Sequence, residues 1–168
     1  MSNSIYNPSA WVANTAYVTH DIVIQTAQAY YAKVNHTDAS FTLSRWGGRI
    51  TDNGEDKPHF IWIPSYDFSV SNQPRVASVR FGDGYEQRMQ DGINNHLLTL
   101  NFAFEQRKLA ETTAILHFLT ERKGTESFVF TPLPPRAKAK RFVCREWEDS
   151  QQFYENYSVR ATFQEVVT

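Results

Sequence analysis

The sequence has few of the features that define secreted, metal-binding or membrane proteins. Its 168 residues include one cysteine, Cys144, so no disulfide can form within the chain and no cysteine-based metal spacing exists. No apolar run approaches the roughly 18 residues that span a bilayer. Residues 1–4 lack the basic and apolar regions of a signal peptide. We therefore expect a protein made in a reducing host cytoplasm, without membrane insertion.

The chain has almost no net charge and none of the common catalytic motifs. The formal net charge of −1 gives no global electrostatic reason to expect specific nucleic-acid binding. The sequence has no Gly-x-Ser-x-Gly elbow, no phosphate-binding glycine loop and no His-Glu-x-x-His zinc helix, and its five histidines are scattered. We therefore expect no enzymatic activity, no catalytic residue, no cofactor and no metal.

Aromatic side chains and alternating patterns are abundant. Aromatic residues make up 14% of the chain and, with the many valine, isoleucine and threonine residues, favour β-structure. Apolar side chains occupy alternate positions at residues 98–104 and 157–163, and a period of two predicts half-buried strands. Shorter strands are predicted at residues 60–63, 76–81, 128–130 and 141–147.

One helix is predicted over residues 108–123, because apolar side chains recur there at spacings of three and four. The stripe consists of Leu109, Thr112, Ile115, Leu116 and Leu119, and Phe118 widens it. Gly124 suits the left-handed position that ends a helix, and Asp83-Gly84 predicts a tight turn. The fold class is therefore mainly β, a β-sandwich or partly open barrel with one helix, preceded by a small all-β module.

Two polar side chains lie within apolar patterns. Cys144 alternates with Phe142 on a predicted strand, so it is interpreted as a small buried residue. His117 lies on the predicted helix among apolar neighbours, which favours a packed or edge residue over a metal ligand.

A polar stretch at residues 51–58 divides the chain. It contains the turn signal Asn53-Gly54 and Pro58, so it is interpreted as a linker or an exposed hairpin.

In the module before this stretch, two short strands are predicted, bracketed by Trp11 and Trp46. The predicted organisation is a small β module at 1–51, a linker at 52–59 and a β-domain with one helix at 60–168; the module's strands are predicted at 17–24 and 29–35.

A proline-rich basic segment at residues 132–141 is predicted to be a loop. Its candidate subunit-contact residues are Arg136, Lys138, Lys140 and Arg141. Prolines limit the entropy of such a loop, which favours a role in contacts. An exposed hairpin connection kept soluble by charge explains the segment equally well. DNA contact is a third interpretation, although interleaved aromatics are missing.

From Phe60 onward the chain resembles the minor tail protein M family of lambda-type siphophages. The matching blocks run in order over the whole segment: Phe60-x-Trp62, Val79-Arg80-Phe81-Gly82-Asp83-Gly84-Tyr85, Gln87-Arg88, Gly92-x-Asn94, Ser127-Phe128-x-Phe130-Thr131-Pro132, Cys144 with Trp147, and Phe163-Gln164-Glu165-Val166-Val167. The resemblance implies a structural subunit at the distal end of the virion tail. It further implies a homo-oligomeric, hexameric ring that joins the tail tube protein to the hub and tip proteins.

A second resemblance covers residues 10–46. Trp11, Tyr17, Asp21, Val23, Tyr31-Ala32-Lys33 and Trp46 are similar to small carbohydrate-binding modules attached to chitinases and cellulases. His20 replaces the glycine of the usual turn, and the expected aromatic dipeptide before Trp46 is missing. The candidate glycan-binding residues are Trp11, Tyr17, Tyr30, Tyr31 and Trp46, since flat aromatic rings stack on sugars. The alternative is that these rings form the module's small core.

Three classes of function follow. The leading hypothesis is a structural tail-tip subunit. The second is a glycan-binding adhesion subunit of the virion that contacts host surface polysaccharide through the amino-terminal module. An enzyme is the third, and the motif inventory gives it no support.

Overall fold

The computed structural model describes residues 5–65 and 68–167, and most of the regular structure in these ranges is β-strand. In chain order the strands are β1 Ser9–Ala10, β2 Ala16–Tyr17, β3 Ile22–Gln25, β4 Gln28–Ala32, β5 His36–Thr37, β6 Trp46–Gly47, β7 Arg49–Asp52, β8 Glu55–Pro58, β9 Ser69–Asn72, β10 Val76–Arg80, β11 Glu86–Gln90, β12 Leu98–Arg107, β13 Phe128–Phe130, β14 Lys140–Phe153 and β15 Asn156–Glu165. The α-helix is α1, Leu109–Arg122. The mainly β fold class is therefore confirmed.

Some sequence-based expectations fall outside these ranges. Residues 1–4, which lack signal-peptide features, and residue 168, the predicted end of the domain, are not among the described residues. In the part of the chain that is described, no helix has the length and apolar character needed to cross a bilayer.

Five antiparallel strands form the main sheet, in the order β13-β14-β15-β12-β9. Strands β12 and β15 confirm the alternation seen in the sequence: Leu100, Phe104 and Phe163 are buried, whereas Asn101 and Arg160 face outward and are exposed. The helix α1 covers the buried face with side chains that include Ile115, Phe118 and Leu119. The sheet is thus amphipathic, with an aromatic core on one face and a polar surface on the other.

The helix follows its prediction to within one residue at each end. Lys123 takes a left-handed conformation at φ +50° as the cap residue, and Gly124 follows at φ +68°. The predicted stripe is wrong at its first position, because Leu109 is 54% exposed. Leu109 is the first residue of the helix, and its side chain is not part of the buried cluster.

The centre of the large core is the ring of Phe60. Its centroid lies 5.0–6.0 Å from the rings of Trp62, Phe104, Phe118, Phe128, Phe130 and Phe163. The strand predicted at residues 60–63 is wrong. His59 forms one parallel bridge with Val129 and the Phe60 amide donates to the Val129 carbonyl at 2.9 Å, but residues 60–63 belong to no strand. The segment is held by its buried rings rather than by a ladder of backbone hydrogen bonds.

The amino-terminal strands form a small sheet, β1-β3-β4-β6, with a core on each face. On one face Ile22, Ala29 and Tyr31 belong to the same buried cluster as Phe60. On the other face Val23 and Trp46 belong to a second, smaller cluster. The first part of the chain therefore contributes directly to the core of the second part. The domain division at residues 51–60 stays a prediction.

Tyr31 makes the most specific contact between these two parts. Its ring lies 4.9 Å from that of Trp62 and 6.0 Å from that of Phe118, and its hydroxyl is 2.8 Å from Nδ1 of His117. Both side chains are buried, so the hydrogen bond satisfies two polar groups that water does not reach. His117 is thus a packed residue, as its apolar neighbours predicted.

The polar stretch between the two parts forms an antiparallel hairpin. Strands β7 and β8 pair from Arg49–Pro58 to Asp52–Glu55, and Asn53 and Gly54 turn the chain with φ of +51° and +83°. Two positive φ values in a two-residue loop match the twist of a hairpin. Of the two structures that the sequence allowed, the hairpin is the one observed.

The strand predicted at residues 17–24 is wrong as a single element, because a turn divides it into β2 and β3. His20 adopts φ +74° at this turn, the left-handed conformation that a glycine adopts easily. The Asp21 carboxylate accepts a hydrogen bond from the Val18 amide at 2.8 Å, and the Asp21 amide donates to the Val18 carbonyl. Local hydrogen bonds therefore keep the turn although its glycine is replaced.

The turn between β3 and β4 offers a test of backbone strain. Thr26 and Ala27 have φ of +52° and +59°, a geometry that favours Asn-Gly, and Thr is β-branched. Thr26→Asn combined with Ala27→Gly is expected to raise the free energy of unfolding by about 1–2 kcal/mol. Urea unfolding measures the change. The matched reverse change, Asn53→Thr with Gly54→Ala, should destabilise by a similar amount, and equal stability of all three proteins contradicts the prediction.

A second test uses pH. Burial, with a smaller contribution from the nearby Arg122 cation, lowers the pKa of His117 from 6.5 to about 4. Between these values the unfolded chain binds the proton and the folded chain does not. The contribution of the neutral ring is therefore complete above pH 6.5 and is lost as pH falls towards 4, by roughly 2–3 kcal/mol.

His117→Gln keeps a polar group beside the Tyr31 hydroxyl and does not titrate. We expect the unfolding free energy of the variant to fall less steeply than that of the wild type between pH 7 and pH 4.5, by roughly 2 kcal/mol in urea titrations. Burial also lowers the pKa of His20 and of His59, so the difference between the two proteins isolates His117. Parallel pH profiles would exclude His117 as the source.

Candidate interaction surfaces

The hairpin of β10 and β11 is exposed along almost its whole length. The strands pair from Val76–Gln90 to Arg80–Glu86, and only Glu86 is even partly buried. Alternation places three apolar side chains and Gln87 on one face, and mainly polar side chains with Val76 on the other: Ala77, Val79, Gln87 and Met89 against Val76, Ser78, Arg80, Glu86, Arg88 and Gln90. The hairpin is therefore amphipathic, and its apolar face lacks a covering element in the described part of the chain.

The turn of this hairpin contributes two further apolar rings. Asp83 and Gly84 have φ of +66° and +78°, so the tight turn predicted from Asp83-Gly84 is confirmed. The Phe81 amide donates to the Tyr85 carbonyl at 2.8 Å, and the two rings lie 5.8 Å apart. Phe81 is 50% exposed and Tyr85 66% exposed. A pair of large, exposed rings at a turn is well suited to contact another protein.

The four candidate contact residues of the basic segment at 132–141 fall into two pairs that differ in their contacts. Arg136 and Lys138 are exposed. Lys140 bonds the Glu165 carboxylate at 2.7 Å, and Arg141 bonds Asp52 at 2.9 Å. The second pair therefore holds the chain's own elements together, and Arg141 fastens the β7–β8 hairpin to β14. Arg136 and Lys138 are the residues of the predicted contact set that remain accessible.

The five aromatic residues predicted for glycan binding fall into a buried group and a partly exposed group. Tyr17, Tyr31 and Trp46 are at most 3% exposed, so their ring faces are not open to a sugar. Trp11 and Tyr30 are half-buried and flank Phe41, which the sequence prediction did not include. The Phe41 centroid lies 5.7 Å from that of Trp11, 4.9 Å from that of Tyr30 and 5.5 Å from that of Trp46. We call Trp11, Tyr30 and Phe41 the aromatic patch. The signal for Phe41 was its position before Trp46, where the similar modules carry aromatic residues.

The chain's cysteine and acidic residues offer little chemistry in this arrangement. Cys144 is buried as predicted, and burial raises the pKa of its thiol to about 12. A thiol with so high a pKa carries almost no reactive thiolate near neutral pH. Within the described ranges, no group of three or more histidine, cysteine or acidic side chains is placed to hold a metal ion. The surfaces described above are therefore the features through which the structure suggests a function.

Comparison with known proteins identifies the family. A family model described as phage minor tail protein matches residues 58–167, which confirms the resemblance stated for residues 60–168. Tail tip protein M of Escherichia phage lambda is 35% identical over 88 residues, which are 52% of this chain and 79% of that protein. Tail tip protein M of Escherichia phage N15 is 34% identical over 74 residues, 40% of this chain and 63% of that protein, so the match spans less than two thirds of it. Because the family model covers well over half of its length, the chain belongs to the phage minor tail protein family and is a structural component of a phage tail.

Proposed function

We propose that the protein is a subunit of a homo-oligomeric, hexameric ring at the distal end of the tail, where it joins the tail tube to the hub. The observation that carries this proposal is the uncovered apolar face of the β10–β11 hairpin. The names of the relatives support the position, since both are called tail tip protein M. The partners would be further copies of this chain, the tail tube protein and the hub proteins.

The hairpin supports association on energetic grounds. A two-stranded hairpin is marginally stable in water unless its apolar face is covered. Val79, Phe81, Tyr85 and Met89 are each 45–66% exposed, and all four belong to this hairpin or its turn. Covering such side chains contributes about 25 cal/mol per Å² of apolar surface. The face therefore favours a bound partner in the assembled tail.

A ring gives the uncovered hairpin of each subunit a neighbour to contact. In a head-to-tail contact, one surface of a subunit meets a different surface of the next, and a suitable rotation closes the ring. Arg136 and Lys138 add an accessible cationic loop for a second contact. Exposed ion pairs contribute about 0–1 kcal/mol each, so we assign this loop to orientation and the apolar hairpin to affinity.

Substitutions on the two faces of the hairpin test the proposal. Val79→Asp with Met89→Asp places two charges on the apolar face and is expected to weaken self-association at least about tenfold, because the carboxylates would be buried in the contact. The matched control, Ser78→Asp with Gln90→Asp, adds the same charge to the opposite face and should associate as the wild type does. Sedimentation velocity measures association, and circular dichroism checks the fold.

Incorporation into virions is the corresponding test in the phage. The apolar-face variant should be missing from purified particles and the control variant present at the distal end of the tail, as detected with an antibody against residues 60–168. Normal incorporation of the apolar-face variant would contradict the proposal. Labelling along the tail tube would contradict the distal position.

A second candidate function is glycan binding by the virion, and the aromatic patch is the observation that favours it. Trp11, Tyr30 and Phe41 are each partly exposed, and aromatic faces are the surfaces on which sugar rings stack. This function is compatible with a place in a ring. Under this proposal the amino-terminal strands contact host surface polysaccharide.

Trp11→Ala and Tyr30→Ala are expected to reduce retention on chitin or cellulose at least about fivefold, since loss of a stacked ring costs about 1 kcal/mol or more. The matched control is Tyr154→Ala, which removes an aromatic side chain that is 89% exposed at a different turn. Affinity electrophoresis in gels containing each polysaccharide measures retention. Equal mobility of the wild type with and without polysaccharide would sink this second function and leave the ring proposal intact.

A further inference from the structure

The turn between β14 and β15 carries two exposed aromatic rings. Phe153 is 73% exposed and Tyr154 is 89% exposed. Strand β12 pairs with β15 as far as Tyr157, and β13 pairs with β14 as far as Phe142. In the described part of the chain, the strand ends at this turn therefore pair only with each other. We call residues 146–155 the acidic tip.

Carboxylates outnumber cations around the acidic tip. Residues 145–160 contain four acidic and two basic side chains, a net charge of −2. Glu148 and Arg160 lie 3.5 Å apart and compensate each other. Asp149 and Glu155 are exposed and make no ion pair among the described residues, so their charges are available to another molecule.

A surface of opposite charge lies beside the start of β14. Two adjoining depressions of about 490 and 470 Å³ share His96, Lys138 and Lys140 in their linings. Among the described residues that line the first depression, none is acidic. Glu165 lines the second depression, and its carboxylate is bonded to Lys140 at 2.7 Å. We call the two depressions together the basic surface.

The charge of the basic surface remains after its internal ion pairs are counted. Residues 132–141 carry four cations and no carboxylate. Glu165 and Asp52 compensate two of these cations, Lys140 and Arg141. A net charge of +2 therefore remains on the exposed side chains of this segment, which are Arg136 and Lys138.

The basic surface also presents apolar side chains to solvent. Ile93 is 93% exposed, Val167 is 53% exposed and Leu97 is 37% exposed, and all three line the second depression. Exposed apolar side chains beside polar and charged ones are characteristic of protein contact sites. The composition of the basic surface thus complements a turn that carries aromatic rings and carboxylates.

One copy of the chain cannot make this contact with itself. The basic surface lies at the start of β14, and the acidic tip lies at its end. At about 3.3 Å per residue, a strand from Lys140 to Phe153 is roughly 40 Å long. The two oppositely charged ends of the strand are therefore held apart, and each requires a second molecule.

The basic surface adjoins the base of the β10–β11 hairpin. Asn95 lines the second depression, and its carbonyl accepts a hydrogen bond from the Arg75 amide at 2.8 Å. The Gln90 side-chain amide donates to Oδ1 of Asn95 at 3.0 Å. A neighbouring copy that covers the uncovered face of this hairpin therefore also reaches the basic surface.

We propose that the acidic tip of one copy binds the basic surface of a second copy. The two exposed rings of the tip pack on the exposed apolar side chains of the surface, while Asp149 and Glu155 approach Arg136 and Lys138. The inference rests on the proposed ring and names a contact within it. Each copy gives one tip and receives another, so the contact is head-to-tail, as a closed ring requires.

A charge-exchange experiment tests the contact with the full-length protein. The tip-reversed variant carries Asp149→Lys and Glu155→Lys, and the surface-reversed variant carries Arg136→Glu and Lys138→Glu. Each variant alone brings like charges together at every contact, so association measured by sedimentation velocity should weaken at least about tenfold. Circular dichroism checks that each variant is folded.

Mixing the two variants restores opposite charges. The reversed tip meets the reversed surface, and the normal tip meets the normal surface, so a ring of alternating variants has an attractive pair at every contact. An equimolar mixture should therefore regain the wild-type sedimentation profile. The matched control is Glu148→Arg with Arg160→Glu, which exchanges the charges of an existing ion pair at constant net charge and should leave association unchanged.

Three results would overturn the inference in distinguishable ways. If the wild type associates and either reversed variant associates equally well, or if the mixture of folded variants stays dissociated, the tip does not bind the basic surface, while the ring proposal stands. Normal self-association of a reversed variant that is missing from virions would assign its altered surface to another tail protein. If the wild type does not self-associate at any concentration tested, the ring proposal fails and this contact fails with it.

Discussion

The packing around Phe60 is the interaction on which the rest of the structure depends. This single ring contacts side chains from α1 and from strands β12, β13 and β15, so it links the helix to the sheet. Through Trp62, which also contacts Tyr31, the same cluster reaches the small amino-terminal sheet. Truncation of such a central ring typically costs about 3–5 kcal/mol, a large share of the stability of a domain. Both parts of the chain thus share one core.

This shared core explains which elements were predictable from the sequence. β12 and β15 have one face on the core and one in solvent, so their period of two is visible without tertiary information. Residues 60–63 have strand-like composition, but their position is set by rings from distant parts of the chain. The turn at His20 depends on the hydrogen bond that the Asp21 carboxylate accepts from the Val18 amide. The position of residues 60–63 therefore has no local pattern in the sequence, whereas the turn at His20 has a local signal in Asp21 but lacks the usual glycine.

The interaction surfaces were predictable to a smaller extent. The alternation of Ala77, Val79 and Phe81 is readable in the sequence, but the same pattern would describe a strand packed on the core. Only the fold shows that nothing in the described chain covers this face. Tyr31 and Trp46 illustrate the converse, since their aromatic character predicted a sugar surface and their burial assigns them to the two cores. Residue type indicates what a side chain can contact, and burial decides what it does contact.

The contacts that hold the fold together lie apart from its uncovered surfaces. The aromatic core and the buried Arg122, which bonds Glu126 at 2.7 Å and lies 4.8 Å from the Phe118 ring centre, fix the helix and sheet without help from the hairpin. The hairpin can therefore remain exposed while the fold persists. Acidic side chains along β14 disfavour pairing with a second acidic edge, which limits aggregation through like edges.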